Sequence, residues 1–297
     1  MSQATLDGIL NFRDVGKTVN QKSGSAFVNE GLFFRSARPD DASPASRDEL
    51  VNKYGISSII DLRTKSEHIR QAQKRAATVK ASAALAPSDA AAAETVEIPG
   101  IRYHLINLNG RGFERNLLWQ MSWGGMSKLL TLMLFGYRIE AIGVLGREVM
   151  QHRGLIGLGC DSIDYCQAEI SQVFDVLADR SNYPLIVHCT QGKDRTGLII
   201  ALTLFLLGVP IDAVSHDYVL SESELLPERE ERLVEIHEIG LTDDFADCPP
   251  DWAEKIHTYI DDKYGSVETY LKDHVGVTEE KLQSIREILG IKSENTA

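Results

Sequence analysis

A chain of 297 residues with 43% hydrophobic and 25% charged side chains has the composition of an ordinary globular protein, outside the disordered and fibrous classes and long enough for one large core or two small ones. Its net charge of −12 is uneven: residues 211–297 hold 22 acidic against 8 basic side chains, a charge of −14 that leaves +2 upstream. That acidic segment argues against nucleic acid as a ligand and against broad docking on anionic membrane.

Met1 to Asp7 lack a basic run followed by an apolar core, so no secretory leader is expected. The four cysteines, Cys160, Cys166, Cys189 and Cys248, have neither metal-ligand spacing nor disulfide density. The expectation is a cytoplasmic protein with no metal and no cofactor.

Taken in order, residues up to Asn29 hold the run Asn11-Phe12-Arg13-Asp14-Val15-Gly16, and Gly31 to Ser36 reads as a strand. Arg13, Asp14, Arg35 and Arg38 stand beside these apolar signals, where they either line a site or tie down the N-terminal segment by ion pairs. Ser43-Pro44 starts a helix as N-cap and first residue, and Gly55 ends it. Ile56 to Leu62 is a strand that places Asp61 at its carboxyl end, where open α/β sheets bind ligands. Residues 76–98 are Ala-rich and polar and read as a mobile insertion, after which Ile101 to Ile106 resumes as a strand.

Residues 110–160 form an apolar, Gly-interrupted stretch with Trp119, Trp123 and the run Leu129 to Phe135. Arg138 and Glu140 keep it well short of the ~20 apolar residues of a transmembrane helix. Helices packed near the site, as a cover or lid, are the first expectation, and a surface for lipid substrates is the second. Ile163 to Leu177 is a further helix, and beyond residue 211 acidic amphipathic helices follow, the last capped by Thr278. Their solvated acidic faces identify no protein partner. No repeat or linker divides the chain, so one domain spanning 1–297 is expected.

The chemistry concentrates between Tyr183 and Pro210. Pro184 to Val187 is a short apolar run suited to a buried strand, and Leu198 to Leu207 is apolar on every face, as a central helix is. Between them lies His188-Cys189-Thr190-Gln191-Gly192-Lys193-Asp194-Arg195-Thr196-Gly197. A cysteine at the end of a buried strand, just before a helix opens, meets converging backbone N–H groups and the positive end of a helix dipole. Such surroundings lower a thiol pKa from about 8.5 toward 3.5–7.5 and favour a bound phosphate. Five residues separate Cys189 from Arg195, enough for a loop to curl around one tetrahedral anion while the guanidinium takes two of its oxygens. Gly192 permits close backbone approach, and the Thr196 hydroxyl is positioned to assist the sulfur.

His-Cys-x5-Arg-Thr-Gly resembles the signature loop of the protein-tyrosine phosphatase superfamily, and Gly192-Lys193-Asp194-Arg195 resembles its bacterial and fungal branch of tyrosine and phosphoinositide phosphatases. Asn11 to Gly16, Phe34-Arg35-Ser36-Ala37-Arg38-Pro39, and Asp61-Leu62-Arg63 with Glu67 extend the likeness over most of the chain. It implies an α/β fold with a central, mostly parallel, twisted sheet flanked by helices. It also implies two-step hydrolysis through a phosphocysteine on Cys189, with Thr190 to Arg195 binding the phosphate. The Trp-Pro-Asp acid loop of the better-known tyrosine phosphatases is absent. The resemblance therefore implies Asp194 as general acid, with Asp61 and Asp217 as runners-up and His188 ordering the loop. Lys193 adds a second positive charge at the loop, as in phosphoinositide phosphatases. The expected substrates are phosphotyrosine proteins, with dual specificity included; a phosphoinositide phosphatase and a weakly catalytic phosphate-binding module are the alternatives.

Overall fold

The structure, a computed structural model, describes residues 6–74 and 97–291. The Ala-rich insertion expected at 76–98 lies almost entirely outside the described residues. Five strands form one sheet: β1 (Arg13–Asp14), β2 (Phe33–Ser36), β3 (Ser58–Asp61), β4 (Arg102–Leu105) and β5 (Leu185–His188). Their order is β1-β2-β5-β3-β4, with β1 antiparallel to β2 and every other pair parallel. This is the α/β architecture with a mostly parallel sheet that the sequence implied.

Because the side-chain period of a strand is two, neighbouring residues serve opposite faces. Phe33, Ile60, Leu185 and Val187 join one buried cluster, and Phe34, Ile59 and Ile186 join another, so the inner strands bury apolar side chains on both faces. The larger cluster packs under α7 (Gln151–Tyr165), α8 (Gln167–Leu177), α9 (Asp194–Leu206), α12 (Trp252–Tyr264) and a final helix, Glu279–Leu289. The smaller cluster is closed by α2 (Pro44–Asp48), whose N-cap Ser43 accepts from the Ser46 N–H, and by Leu50 and Phe12. α9 is surrounded: from Thr196 to Leu204 every residue is buried.

Three further parts frame the site. A helix covering 65–74, here α3, follows β3. α10 (Ile211–Glu224) lies against α9 and against α1 (Val15–Ser23), and α11 (Arg229–Glu238) follows it. Between β4 and α8 come α4 (Arg111–Trp119), α5 (Trp123–Leu134) and α6 (Arg138–Leu145). α4 buries Phe113 and Leu117, whereas α5 buries only Gly125. The expectation that this whole region packs as a cover therefore fails for α5, which has no core beneath it. Among the described residues no helix is long and apolar enough to cross a membrane.

Candidate active site

β5 is the middle strand, and its parallel neighbours β2 and β3 end level with it: Ser36 and Asp61 both pair in register with His188. The next residue, Cys189, is therefore delivered to the carboxyl edge of the sheet, where it is almost fully buried. Thr190 to Lys193 turn the chain into α9, which opens at Asp194 and leaves its first N–H groups facing the loop. Gly192 takes φ +65°, and a Cβ there would run into the Ser36 carbonyl oxygen, so only glycine fits the turn.

The loop is held from behind by residues distant in sequence. Asn11 Nδ2 donates to the Gln191 and Gly192 carbonyls, both at 3.0 Å. Arg35 Nη2 donates to the Gly192 carbonyl at 2.5 Å and the Lys193 carbonyl at 3.3 Å. Asp217, on α10, pairs with Arg13 Nε at 2.7 Å and with Arg35 Nη1, all three side chains being buried. Burial alone would raise the Asp217 pKa, but the two guanidiniums bring it below the usual carboxylate range. Arg13 and Arg35 therefore lie beneath the loop. Asp14 caps α1 by accepting from the Lys17 N–H at 3.1 Å, and Arg38 pairs with Glu228 at 3.3 Å at the edge of a cleft.

Arg195 is presented by Glu67 on α3: the carboxylate accepts from Nη1 at 2.7 Å and Nη2 at 2.6 Å, and it also accepts from the Thr190 hydroxyl. Burial again works against the charged form, but the hydrogen bonds and charge of Arg195 keep Glu67 ionised and its pKa low. The fork fixes the plane of the guanidinium, as anion recognition by arginine requires.

The supporting residues fall into place around this frame, with three departures from expectation. His188 is buried, donates from Nδ1 to the Cys189 carbonyl at 3.0 Å and sits with Nε2 3.5 Å from Asp61; burial lowers its pKa, and the charge of Asp61 works in the opposite direction. Asp61 is 1% exposed and bound by Arg63, which also pairs with Asp40 at 2.6 Å. Burial pushes the Asp61 pKa up, but His188 and the hydrogen bonds and charge of Arg63 bring it down to about 2. Neither Asp61 nor Asp217 is placed to protonate a leaving group, which corrects both runners-up: each is an ion-paired carboxylate in the interior. Lys193 departs as well. Its ammonium is buried and donates to the Phe245 carbonyl at 2.9 Å and the Asp247 carbonyl at 2.7 Å, so it ties the loop to the 243–247 turn instead of standing at the mouth. The Thr196 hydroxyl is buried and makes no hydrogen bond among the described residues, so the expected bond to the sulfur is not formed.

Asp194 is the exception among the three aspartates. Its side chain is 44% exposed, lies 3.4 Å from Lys193 Nζ and accepts from the Tyr218 hydroxyl at 3.3 Å. It lines an apolar cavity of about 180 Å³ together with Arg195, Phe113, Leu158, Ile236 and Trp252. On the opposite side of the loop, Thr190 and Gln191 open onto a charged cleft bordered by Arg38, Arg63, Arg70 and Glu231. Arg232 of α11 borders both spaces and buries an Nε atom that has no partner among the described residues. Sequence reading passed over Arg232; a basic residue directly after Glu228-Arg229-Glu230-Glu231 was the only signal. The other three cysteines are buried thiols: burial pushes Cys160 up to about 11 and Cys166 and Cys248 to about 12. They are inert as nucleophiles at neutral pH.

A cysteine and an arginine held on one loop, at the head of a buried helix, frame a site the size of a tetrahedral anion. The comparisons agree. The model of the tyrosine phosphatase family matches residues 4–290, and the chain belongs to that family. A tyrosine-protein phosphatase from Nostoc commune is 29% identical over 170 residues, which is 51% of this chain and 57% of that protein. The triple specificity protein phosphatase PtpB of Mycobacterium tuberculosis is 25% identical over 312 aligned positions, covering 97% of this chain and 99% of the relative. A shorter match, 34% over 71 residues, joins 24% of the chain to 28% of the putative tyrosine-protein phosphatase OCA1 of Yarrowia lipolytica. The chain thus spans little more than half the length of the first of these relatives and nearly all of the second.

Proposed function

We propose that this protein is a protein-tyrosine phosphatase that hydrolyses phosphate monoesters in two steps through Cys189. The Cys189 thiolate attacks phosphorus, forming an S–P bond as the ester P–O bond breaks, and Asp194 gives its proton to the departing oxygen. Water then attacks the phosphocysteine, Asp194 takes a proton from it, and the S–P bond breaks to restore the thiolate. Backbone N–H groups from Thr190 to Arg195 and the Arg195 guanidinium stabilise charge on the equatorial oxygens. The observation that carries this reading is the pairing of Cys189, at the end of β5, with an Arg195 already oriented by Glu67.

Asp194 is favoured as the acid because, of the three aspartates considered, it alone faces open space beside Arg195. Phosphotyrosine suits the apolar cavity, which offers aromatic and aliphatic walls to a ring esterified at the loop. A phosphoinositide is the second reading, supported by the cleft on the other side, which Arg38 and Arg70 border, and by a relative named for triple specificity. The case for it no longer includes Lys193, whose ammonium points elsewhere.

The deciding experiment is turnover of a phosphotyrosine peptide beside a soluble phosphatidylinositol 3-phosphate, with wild type and Cys189→Ser. Release from the peptide that disappears in the variant is the expected result. Selective release from the lipid would promote the second reading, and turnover that survives in Cys189→Ser would overturn the mechanism. Phosphate binding without turnover of either ester would leave a binding module.

A further inference from the structure

The hairpin of α5 and α6 is the most unusual surface of the molecule. Between Ser122 and Glu140 only Gly125 is buried, and the two helices pack chiefly on each other. Trp119, Trp123, Leu130, Leu134, Phe135 and Ile139 are exposed, Trp123 to 93%, Leu134 to 82% and Phe135 to 70%. Isolated exposed apolar side chains are common, but a concentration of this size on one short hairpin marks a surface that something else covers.

The charge around it indicates what. Residues 111–145, from α4 through α6, carry Arg111, Arg115, Lys128 and Arg138 against Glu114 and Glu140, a local charge of +2 in a chain of −12. Tryptophans and leucines interspersed with isolated cations are the composition of a segment that lies in the interface of an anionic bilayer, where indole rings sit at headgroup level and lysine or arginine meets lipid phosphate. α5 is 12 residues long, a rise of about 18 Å against a hydrocarbon core of about 30 Å, so the hairpin is too short to span and has the right length to lie in one leaflet. Acidic α11 meets α6 at Gly143 and Gly146, away from the apolar turn at Phe135, and charges beyond about 8 Å are screened at physiological salt.

We infer that the α5–α6 hairpin is a docking surface for anionic lipid bilayers. Its attachment places the active site beside the membrane. Arg138 Nη2 donates to Ser66 Oγ at 3.0 Å, next to the Glu67 that holds Arg195, and Phe113 of the adjoining α4 lines the cavity that Asp194 faces. Phosphate esters at a membrane surface, on lipid or on protein, are therefore presented to the loop at high local concentration. The inference stands whichever ester is hydrolysed.

The test is sedimentation of the full chain with vesicles made from equal parts phosphatidylcholine and phosphatidylglycerol, against phosphatidylcholine alone. Tryptophan fluorescence and size-exclusion light scattering without lipid complete it. Wild type is expected to sediment with the anionic vesicles and to shift its emission to the blue, because Trp119 and Trp123 enter the interface while Trp252 is already buried. The triple variant Trp123→Ser, Leu134→Ser, Phe135→Ser is expected to lose binding by about tenfold or more and to keep wild-type turnover of p-nitrophenyl phosphate. That turnover reports the phosphatase reading separately. Absence of wild type from the vesicle pellet, or equal binding by the triple variant, overturns the inference. So does a lipid-free wild-type dimer that the variant dissolves, since the hairpin would then be a self-association surface.

Discussion

Asp194 and Asp61 sit on adjoining segments at the same edge of the sheet, yet their surroundings prepare them for opposite roles. Asp194 is open to the cavity, so its removal is a kinetic event. Asp194→Asn should lower kcat about 10²–10⁴-fold for phenyl phosphate and much less for p-nitrophenyl phosphate, whose leaving group departs without a proton. A steady-state comparison of the two esters checks this, and equal losses on both would remove Asp194 from the acid's role. Asp61 is a stability residue. Its folded pKa of about 2 lies below its unfolded value near 3.9, so its contribution of roughly 2 kcal/mol is complete above pH ~4 and disappears as pH falls toward 2. Asp61→Asn, in which Asp40 still pairs with Arg63, should unfold more readily at neutral pH and should lose less stability than wild type on acidification, as measured by denaturant titration at several pH values. Loss of turnover in Asp61→Asn with unchanged stability would contradict that assignment.

At the scale of elements, the loop between β5 and α9 is shaped less by its own sequence than by β1, β2 and α10. Removing Asp217 leaves two buried guanidiniums unpaired, and Asp217→Ala should cost about 3–5 kcal/mol, read as a fall in Tm together with weaker binding of inorganic phosphate. Gly192→Ala should be as damaging to the site for a different reason, since it adds a Cβ against the Ser36 carbonyl and keeps φ positive. Phosphate binding should fall sharply while the far-ultraviolet circular dichroism stays that of wild type. The strand, the turn and the apolar helix from Leu185 to Leu206 were legible in the sequence because period, glycine and signature residues all agree there. The Arg13–Asp217–Arg35 clamp was not, because residues 204 and 182 positions apart leave no local pattern. Lys193 misled for a related reason: a charged side chain inside an anion loop reads as a ligand until the 243–247 turn supplies two carbonyls for it. The exposure of the α5–α6 hairpin was not legible because apolar helical spacing looks alike whether or not a core lies opposite.

At the scale of the whole molecule, distant parts of the chain close on each other. Asn29 Nδ2 donates to the Ile288 carbonyl at 2.9 Å and the Gly290 carbonyl at 3.1 Å, and the Ile291 N–H donates to the Phe27 carbonyl at 3.1 Å. Asn29→Ala leaves both side-chain-bound carbonyls without their donor and should lower stability by about 1–2 kcal/mol, with kcat unchanged, which thermal unfolding and a saturation curve will show. This clasp grips the segment that follows α1, at the opposite end of that helix from the Arg13 that anchors the loop. On the ribosome, Cys189 and Arg195 are made well before Asp217, and Asp217 well before the residues that close on Phe27 and Asn29. A growing chain therefore carries the signature loop for about twenty residues of synthesis before Asp217 on α10 can complete the frame that shapes it.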